Sequence, residues 1–195
     1  TLNSNVNPPS GLMKAILMNT CDDLGNSGPD FIYGYGRINA RKAIQPIEEQ
    51  TYITGSVANN GSNTHTISVP SGIGQFKAMV YWHDYPAAVN AAVALVNNIN
   101  MQVTDPANAV FNPWILDYTP NASNLNAVAV RGTDIRNNHE QVTITNPQAG
   151  NYTVTVNGAS IAQGPQTYFL VWYFEPGLKL GFFQVDDKCT SVVLP

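Results

Sequence analysis

From Gln50 onward the apolar residues recur at every second position, a period that builds sheets rather than helices. In residues 64–69, His65, Ile67 and Val69 share one face. Residues 75–82 are apolar on both faces, with Phe76, Ala78, Val80 and Trp82 on one and Met79 and Tyr81 on the other. That marks a strand covered on both sides. Residues 99–103 alternate again. Val142 and Ile144 share a face, Pro147-Gln-Ala-Gly150 forms a turn, and Tyr152, Val154 and Val156 follow, a hairpin pattern. Asn157-Gly158 predicts the next turn. Residues 168–174 are apolar on both faces and rich in aromatics, and residues 178–185 predict one more strand. About eight strands without an internal repeat point to a mainly β fold, an antiparallel β-sandwich or jelly roll.

The first 48 residues obey a different rule. Leu12, Met13, Ala15, Ile16 and Leu17 are apolar on more than one face, as in a helix packed inside a larger body. Asn7 is expected as its N-cap, with Pro8 in the first turn. In a fragment this helix is either badly exposed or packed on the β part. Residues 22–30 are dense in turn formers: Gly permits positive φ, Pro presets φ, and Asp and Asn bond back to their own backbone. Gly34 and Gly36 flank Tyr35, so the chain must bend sharply there. Asn39 stands at an N-cap position, and Pro46 is expected to stop the short helix that follows.

The residue identities add a resemblance. Leu17-Met-Asn-Thr-Cys21 followed by Gly28-Pro-Asp-Phe-Ile-Tyr-Gly-Tyr-Gly-Arg-Ile-Asn-Ala40 resembles the last segment of the catalytic domain of subtilisin-like serine proteases. Cys21 stands where that family usually has Ala. Four stretches of the β part also resemble the β-barrel domain that follows the catalytic domain in one branch of large bacterial subtilases. They are Val80-Tyr-Trp-His-Asp84, Leu95-Val-Asn-Asn-Ile-Asn-Met101, Asp134-Ile-Arg-Asn-Asn-His-Glu-Gln-Val142 and Ala149-Gly-Asn-Tyr-Thr-Val-Thr-Val156. The implied organisation is a catalytic-domain remnant in residues 1–48, a β-sandwich accessory domain in 49–175, and a tail or linker to a further domain in 176–195. The resemblance places the nucleophilic serine in a Gly-Thr-Ser-Met-Ala motif upstream of Thr1. Ser10 and Ser71 stand in Pro-Ser-Gly, and no Gly-x-Ser-x-Gly occurs. No catalytic residue is therefore assigned to this chain, and activity is expected only of a parent protease.

Composition narrows the partners. The net charge is −4 and only 11% of residues are charged. A nucleic-acid partner needs a basic footprint, which is missing. No apolar run approaches the roughly 20 residues of a membrane-spanning helix, so no membrane partner is expected. Cys21 and Cys189 are far apart, and their spacing implies no disulfide; a buried Cys21 and a free Cys189 are the simpler expectation. Few lysines, many Asn and Thr, and the protease resemblance indicate a secreted protein.

The polar residues most worth weighing are Asp84, Asn97, Asn98, Asn100, Asp134, Asn137, Asn138 and Glu140. Calcium takes six to eight oxygens from carboxylates, amide carbonyls and backbone carbonyls. The candidate ligands are Asp84, Asn97, Asp134, Asn138 and Glu140, with calcium as the only cofactor considered. The resembled subtilases bind calcium in or near this domain, but often show Asp where this chain has Asn98 and Asn100. The commoner role of such side chains is to cap turns and pair buried backbone groups. Adjacent strand residues face opposite ways, so His83-Asp84 is no base-and-orienter pair. His139-Glu140 lacks the second His of a zinc-protease motif. His65 reads as a packing residue.

Among Trp82, Trp114, Tyr118, Trp172 and Tyr173, a glycan or peptide platform is conceivable, although Trp82 and Trp172 fit a core better. The loops of residues 106–131 are the expected contact surface. The expected function is a non-catalytic part of a secreted subtilisin-like endopeptidase, with a sandwich that stabilises the catalytic domain or helps position substrate. Its partners would be its own catalytic domain and the polypeptide substrate. The alternative is an autonomous β-sandwich binding module for glycan or protein.

Overall fold

The computed structural model describes residues 7–177. The expected strand at 178–185 and Cys189 lie outside the described residues. In chain order the elements are α1 (Ser10–Asn19), α2 (Ala40–Glu48), β1 (Tyr52–Val57), β2 (Ser62–Val69), β3 (Ile73–Trp82) and β4 (Asn97–Thr104). Then come β5 (Val110–Phe111), β6 (Trp114–Ile115), α3 (Ala122–Leu125), β7 (Val130–Arg131), β8 (His139–Thr145), β9 (Gly150–Ile161) and β10 (Gln166–Pro176). Two four-stranded antiparallel sheets, β1-β10-β3-β8 and β2-β9-β4-β5, form a sandwich, and β6 and β7 make a separate two-stranded ribbon. The mainly β expectation holds.

The two-sided run of residues 75–82 became a central strand, as its pattern requires. Phe76, Ala78, Val80 and Trp82 face the second sheet and join Ile99, Met101, Val103, Tyr152, Val154, Val156, Tyr168 and Leu170 in the sandwich core. Each such fully buried large side chain contributes about 1.5–3 kcal/mol of apolar transfer. The opposite face of the same sheet carries Tyr81, Phe169 and Val171. These pack with Leu12, Ala15 and Ile16 of α1 and Ala43 of α2 in a second cluster. The apolar helix is thus packed on the β part. Asn19, fully buried at the end of α1, fixes the contact. Its amide donates to the carbonyls of Lys77 and Val171, both at 3.3 Å, and its Oδ1 accepts from Gln141 Nε2 at 3.0 Å.

The segment between the helices is tied to itself and to the sheet. Asp22 and Arg37 exchange backbone hydrogen bonds at 2.9 Å. Gly36 has φ +105°, and a Cβ there would stand 2.0 Å from the carbonyl oxygen of Asp22, so only glycine fits. The Asp22 carboxylate accepts from Lys42, Asn39 and Arg37, which hold it well below the usual carboxylate range. Lys42 Nζ also reaches Glu175 on β10 at 2.5 Å.

Four local expectations are corrected. Helix α1 begins at Ser10 rather than after Asn7, with Pro9 at the N-cap and no side-chain cap bond. Asn39 does cap α2, accepting from the Lys42 amide at 3.1 Å, but Pro46 lies inside α2 and does not stop it. Pro46 forfeits one amide bond, yet it is buried, and α2 closes a turn later with Glu49 N–H on the Gln45 carbonyl. The pattern around Pro147–Gly150 is not a hairpin. It joins β8 in one sheet to β9 in the other, with positive φ at Asn146 and Gly150 turning the corner. Asn157-Gly158 is not a turn either: β9 runs through it opposite a register shift at Asn98/Ile99.

Candidate functional site

Two adjoining cavities lie where the 22–35 loop, the edge of β8 and the β6–β7 ribbon meet. A cavity of about 480 Å³ is lined there by Cys21, Lys77, Gln141, Thr143 and Arg131, among others. A second, of about 280 Å³, is lined by Phe31, Tyr118, Ile135, Arg136 and His139. Pro29, Tyr35 and Trp114 line both, so the two form one trough.

Each wall has a local cause. The acidic turn holds the loop: the Asp30 carboxylate accepts the amides of Asn26, Ile32 and Tyr33, and these bonds, that from Tyr33 foremost, lower its pKa. Trp114 and Arg131 are register partners across β6 and β7. The Arg131 guanidinium stacks 3.6 Å from the Trp114 ring and donates to the carbonyls of Asn112 and Thr143. Trp114 Nε1 donates to Thr143 Oγ1 at 3.0 Å, so ring and guanidinium grip the same strand residue. Burial lowers Arg131 to about 10, which leaves it charged at neutral pH. Arg136 repeats the motif 3.5 Å over Tyr118. Tyr35 meets His139 edge-on at 5.5 Å. Burial, with Asp134 and Glu140 adding to it, pushes the Tyr35 phenol far up, and burial pushes the His139 imidazole down against the pull of Asp134. Lys77 is also pushed down by burial; its Nζ donates to the Cys21 carbonyl at 3.0 Å. The trough is therefore polar at one end and aromatic at the other, with its cations already engaged by carbonyls or stacked on rings.

The five candidate calcium ligands do not form one coordination shell. Asp84 accepts the amides of Tyr85, Val96 and Asn97. Asn97 Oδ1 accepts the Gln163 amide, while its Nδ2 donates to Gln163 and Gln166. Asp134 accepts from the Arg136 amide and from both the amide and side chain of Asn137. Asn138 donates its side-chain amide to the Trp82 carbonyl at 2.8 Å. Glu140, 1% exposed, crosses from β8 to accept the Met101 amide of β4 at 2.5 Å through Oε2. Its Oε1 has no partner, and neither do the buried Oδ1 atoms of Asn98 and Asn100. Glu140 and Asn100 line the same cavity of about 110 Å³. Among the described residues no group of three or more His, Cys, Asp or Glu side chains converges. Of the three unpartnered oxygens only those of Glu140 and Asn100 share that cavity, against the six to eight oxygens that calcium takes.

Other singled-out residues fall as follows. Trp82 is core, its Nε1 donating to the Asn97 carbonyl at 2.9 Å. Trp172 is half-buried against the same core, and Tyr173 is buried. His65 bonds the Tyr168 hydroxyl at 2.8 Å. Cys21 is buried with Sγ on the Leu17 carbonyl. One pairing was not visible in the sequence: Ser10 Oγ lies 3.2 Å from His83 Nε2, whose Nδ1 faces the Tyr81 hydroxyl at 3.4 Å. It has no carboxylate orienter, and both residues are exposed on the surface. It lacks the constellation that activates a serine. Tyr35 and Gln141 lie inside stretches quoted for the resemblance and Arg131 ends the expected 106–131 contact surface, but their meeting was not visible in the sequence, because only the fold brings them together.

Among the described residues no helix is long and apolar enough to cross a membrane. No family model and no curated protein matches the chain. Among solved structures it is similar to the lipase BlEst2 of Bacillus licheniformis in its propeptide form, at 13% identity and a TM-score of 0.38. That match covers 65% of this chain and 22% of the lipase, so the chain spans about a fifth of its length. It is also similar to the pre-peptidase C-terminal domain of the collagenase of Bacillus anthracis, at 14% identity and a TM-score of 0.37, covering 63% and 87% of the two chains.

Proposed function

We propose that this chain is a non-catalytic part of a secreted subtilisin-like serine endopeptidase, whose β-sandwich stabilises the catalytic domain and helps position the polypeptide substrate. The observation that carries this reading is the two-sided character of the helical segment. Its inner side shares a core with the sandwich through Leu12, Ala15, Ile16 and Ala43. Its outer side leaves Phe31, Ile32, Tyr33, Ile38 and Ile44 at least half exposed. Apolar residues grouped this way mark a contact surface. The residues that form it are those that resemble the end of a subtilase catalytic domain, and the remainder of that domain is the partner they fit. A sandwich bound through this segment would raise the catalytic domain's stability by mass action within one chain.

The test is to read the coding sequence upstream of Thr1. A Gly-Thr-Ser-Met-Ala motif within a few tens of residues, with Asp and His motifs further back, supports the reading. A signal peptide or unrelated domain there would overturn it. A second reading, a free-standing binding module for glycan or protein, is favoured by the aromatic trough of Tyr35, Trp114 and Tyr118 and would then lead.

A further inference from the structure

Strand β8 is the last strand of its sheet, and the direction of its backbone groups follows from the register. At one end the Asn138 carbonyl accepts the Trp82 amide at 3.1 Å; at the other the Asn146 amide donates to the Gly74 carbonyl at 2.7 Å. Between them the pairing with β3 is unbroken, from Tyr81↔His139 to Gln75↔Thr145. In an antiparallel pair alternate residues face the partner. The even-numbered residues of β8 therefore face β3, and His139, Gln141, Thr143 and Thr145 turn their amides and carbonyls outward. Among the described residues no strand pairs with this edge. One outward acceptor, the Thr143 carbonyl, takes the Arg131 guanidinium, a side-chain donor standing where the amide of a neighbouring strand would stand.

This edge is the floor of the trough. Gln141, Thr143 and Thr145 line the larger cavity and His139 the smaller. The 22–35 loop walls one side and the β6–β7 ribbon the other. An unpaired edge is normally shortened, charged or covered. Here the walls stand beside it, and Arg131 and Trp114 hold it at its midpoint, Thr143.

We propose that the trough binds an extended polypeptide segment as an added strand on β8. Only an extended backbone presents donors and acceptors at the spacing of the outward groups; a glycan has no such amide row. Seven strand residues span about 23 Å, and a segment of about six or seven residues along them would take the place of the Arg131 guanidinium at the Thr143 carbonyl. The Tyr35, Trp114 and Tyr118 end would take an apolar side chain, and the Gln141 and Thr145 end a polar one. The inference deepens the substrate-positioning part of the proposed function and rests on that reading for the source of the segment.

The test uses the full ¹⁵N-labelled chain and acetylated, amidated hexapeptides of alternating Val, Thr and Phe. The same peptides with every backbone amide methylated are the control. The amides of Gln141, Thr143 and Thr145 and the Trp114 indole should shift, with at least tenfold slower amide exchange at the strand. The methylated peptides should bind at least tenfold more weakly. Thr145→Pro removes one outward donor at an exposed edge position where proline is tolerated and leaves the Trp114 contact to Thr143 intact, and should weaken binding about tenfold. Absence of shifts at millimolar peptide, equal binding by methylated peptides, or shifts elsewhere would overturn the proposal. Because the binding assay uses this chain alone, its failure leaves the upstream-sequence test untouched, and failure of that test leaves peptide binding standing.

Discussion

Glu140→Gln is expected to make the protein more stable, by an amount that depends on pH. Glu140 lies between the two sheets with Oε2 on the Met101 amide and Oε1 without a donor, while Asn100 Oδ1 in the same cavity also lacks one. Burial, with the Asp134 charge adding to it, pushes its carboxyl well above the usual range and outweighs the opposing pull of the Met101 and Asp134 backbone amides. Glutamine keeps an acceptor for Met101 and places an NH₂ where Oε1 stands. A buried acceptor left without a partner costs about 1–3 kcal/mol. The variant should regain about that much at pH 8, or roughly 2–12 °C in Tm at 2–4 °C per kcal/mol for a domain of this size. The sign with pH follows from the raised folded pKa. The wild type has its full stability below the unfolded pKa of about 4.3 and loses it as pH rises toward the folded value. Glutamine does not titrate, so the gap should be widest at pH 8 and close by about pH 4.5. Urea unfolding at pH 4.5, 6 and 8 measures it. A variant less stable than wild type at pH 8 would show that the ionised carboxylate is partnered. A gap independent of pH would show that titration plays no part. Either result refutes the argument.

Three further outcomes are expected. Asn19→Ala leaves the buried Gln141 amide without its acceptor and should cost about 1–3 kcal/mol in urea unfolding. The pair Phe31→Ser and Ile32→Ser, both exposed, should change the stability of this chain by no more than about 0.5 kcal/mol each. The same pair should weaken association with an upstream catalytic domain, read by calorimetry. Millimolar calcium should leave Tm within about 1 °C of its starting value, because ligand-linked stabilisation needs a site that the fold forms; a rise of several degrees would reinstate the metal reading.

The sheet was legible because residues 76–82 are apolar on both faces but for Lys77. Residues 75–82 could only be a central strand, and Tyr81 on its second face already implied a covering layer. The Asn39 cap was legible because its partner is three residues away. What failed was pairing at a distance. An apolar run, a turn and another apolar run look alike whether the strands pair or pass to opposite sheets, so Pro147–Gly150 was misread. Pro46 was misread because propensity counts the lost amide bond and not the burial. The metal set is dispersed for a related reason. Residue type gives oxygen atoms, but not whether loop amides have already claimed them, as at Asp84 and Asp134. The trough draws on the 22–35 loop, β6, β7 and β8, which no spacing rule connects.

The core shared by α1, α2 and the outer face of the first sheet gives the expected boundary near residue 49 a particular mechanical character. A cut there would not separate two finished surfaces. It would strip Tyr81, Phe169 and Val171 of their cover and leave Gln141 facing an empty socket. The exposed apolar surface lies instead on the outer side of the helical segment, at Phe31, Ile32 and Ile38. On the proposed reading, a protease nicking the parent chain along that side would release a particle that carries two helices along as its lid.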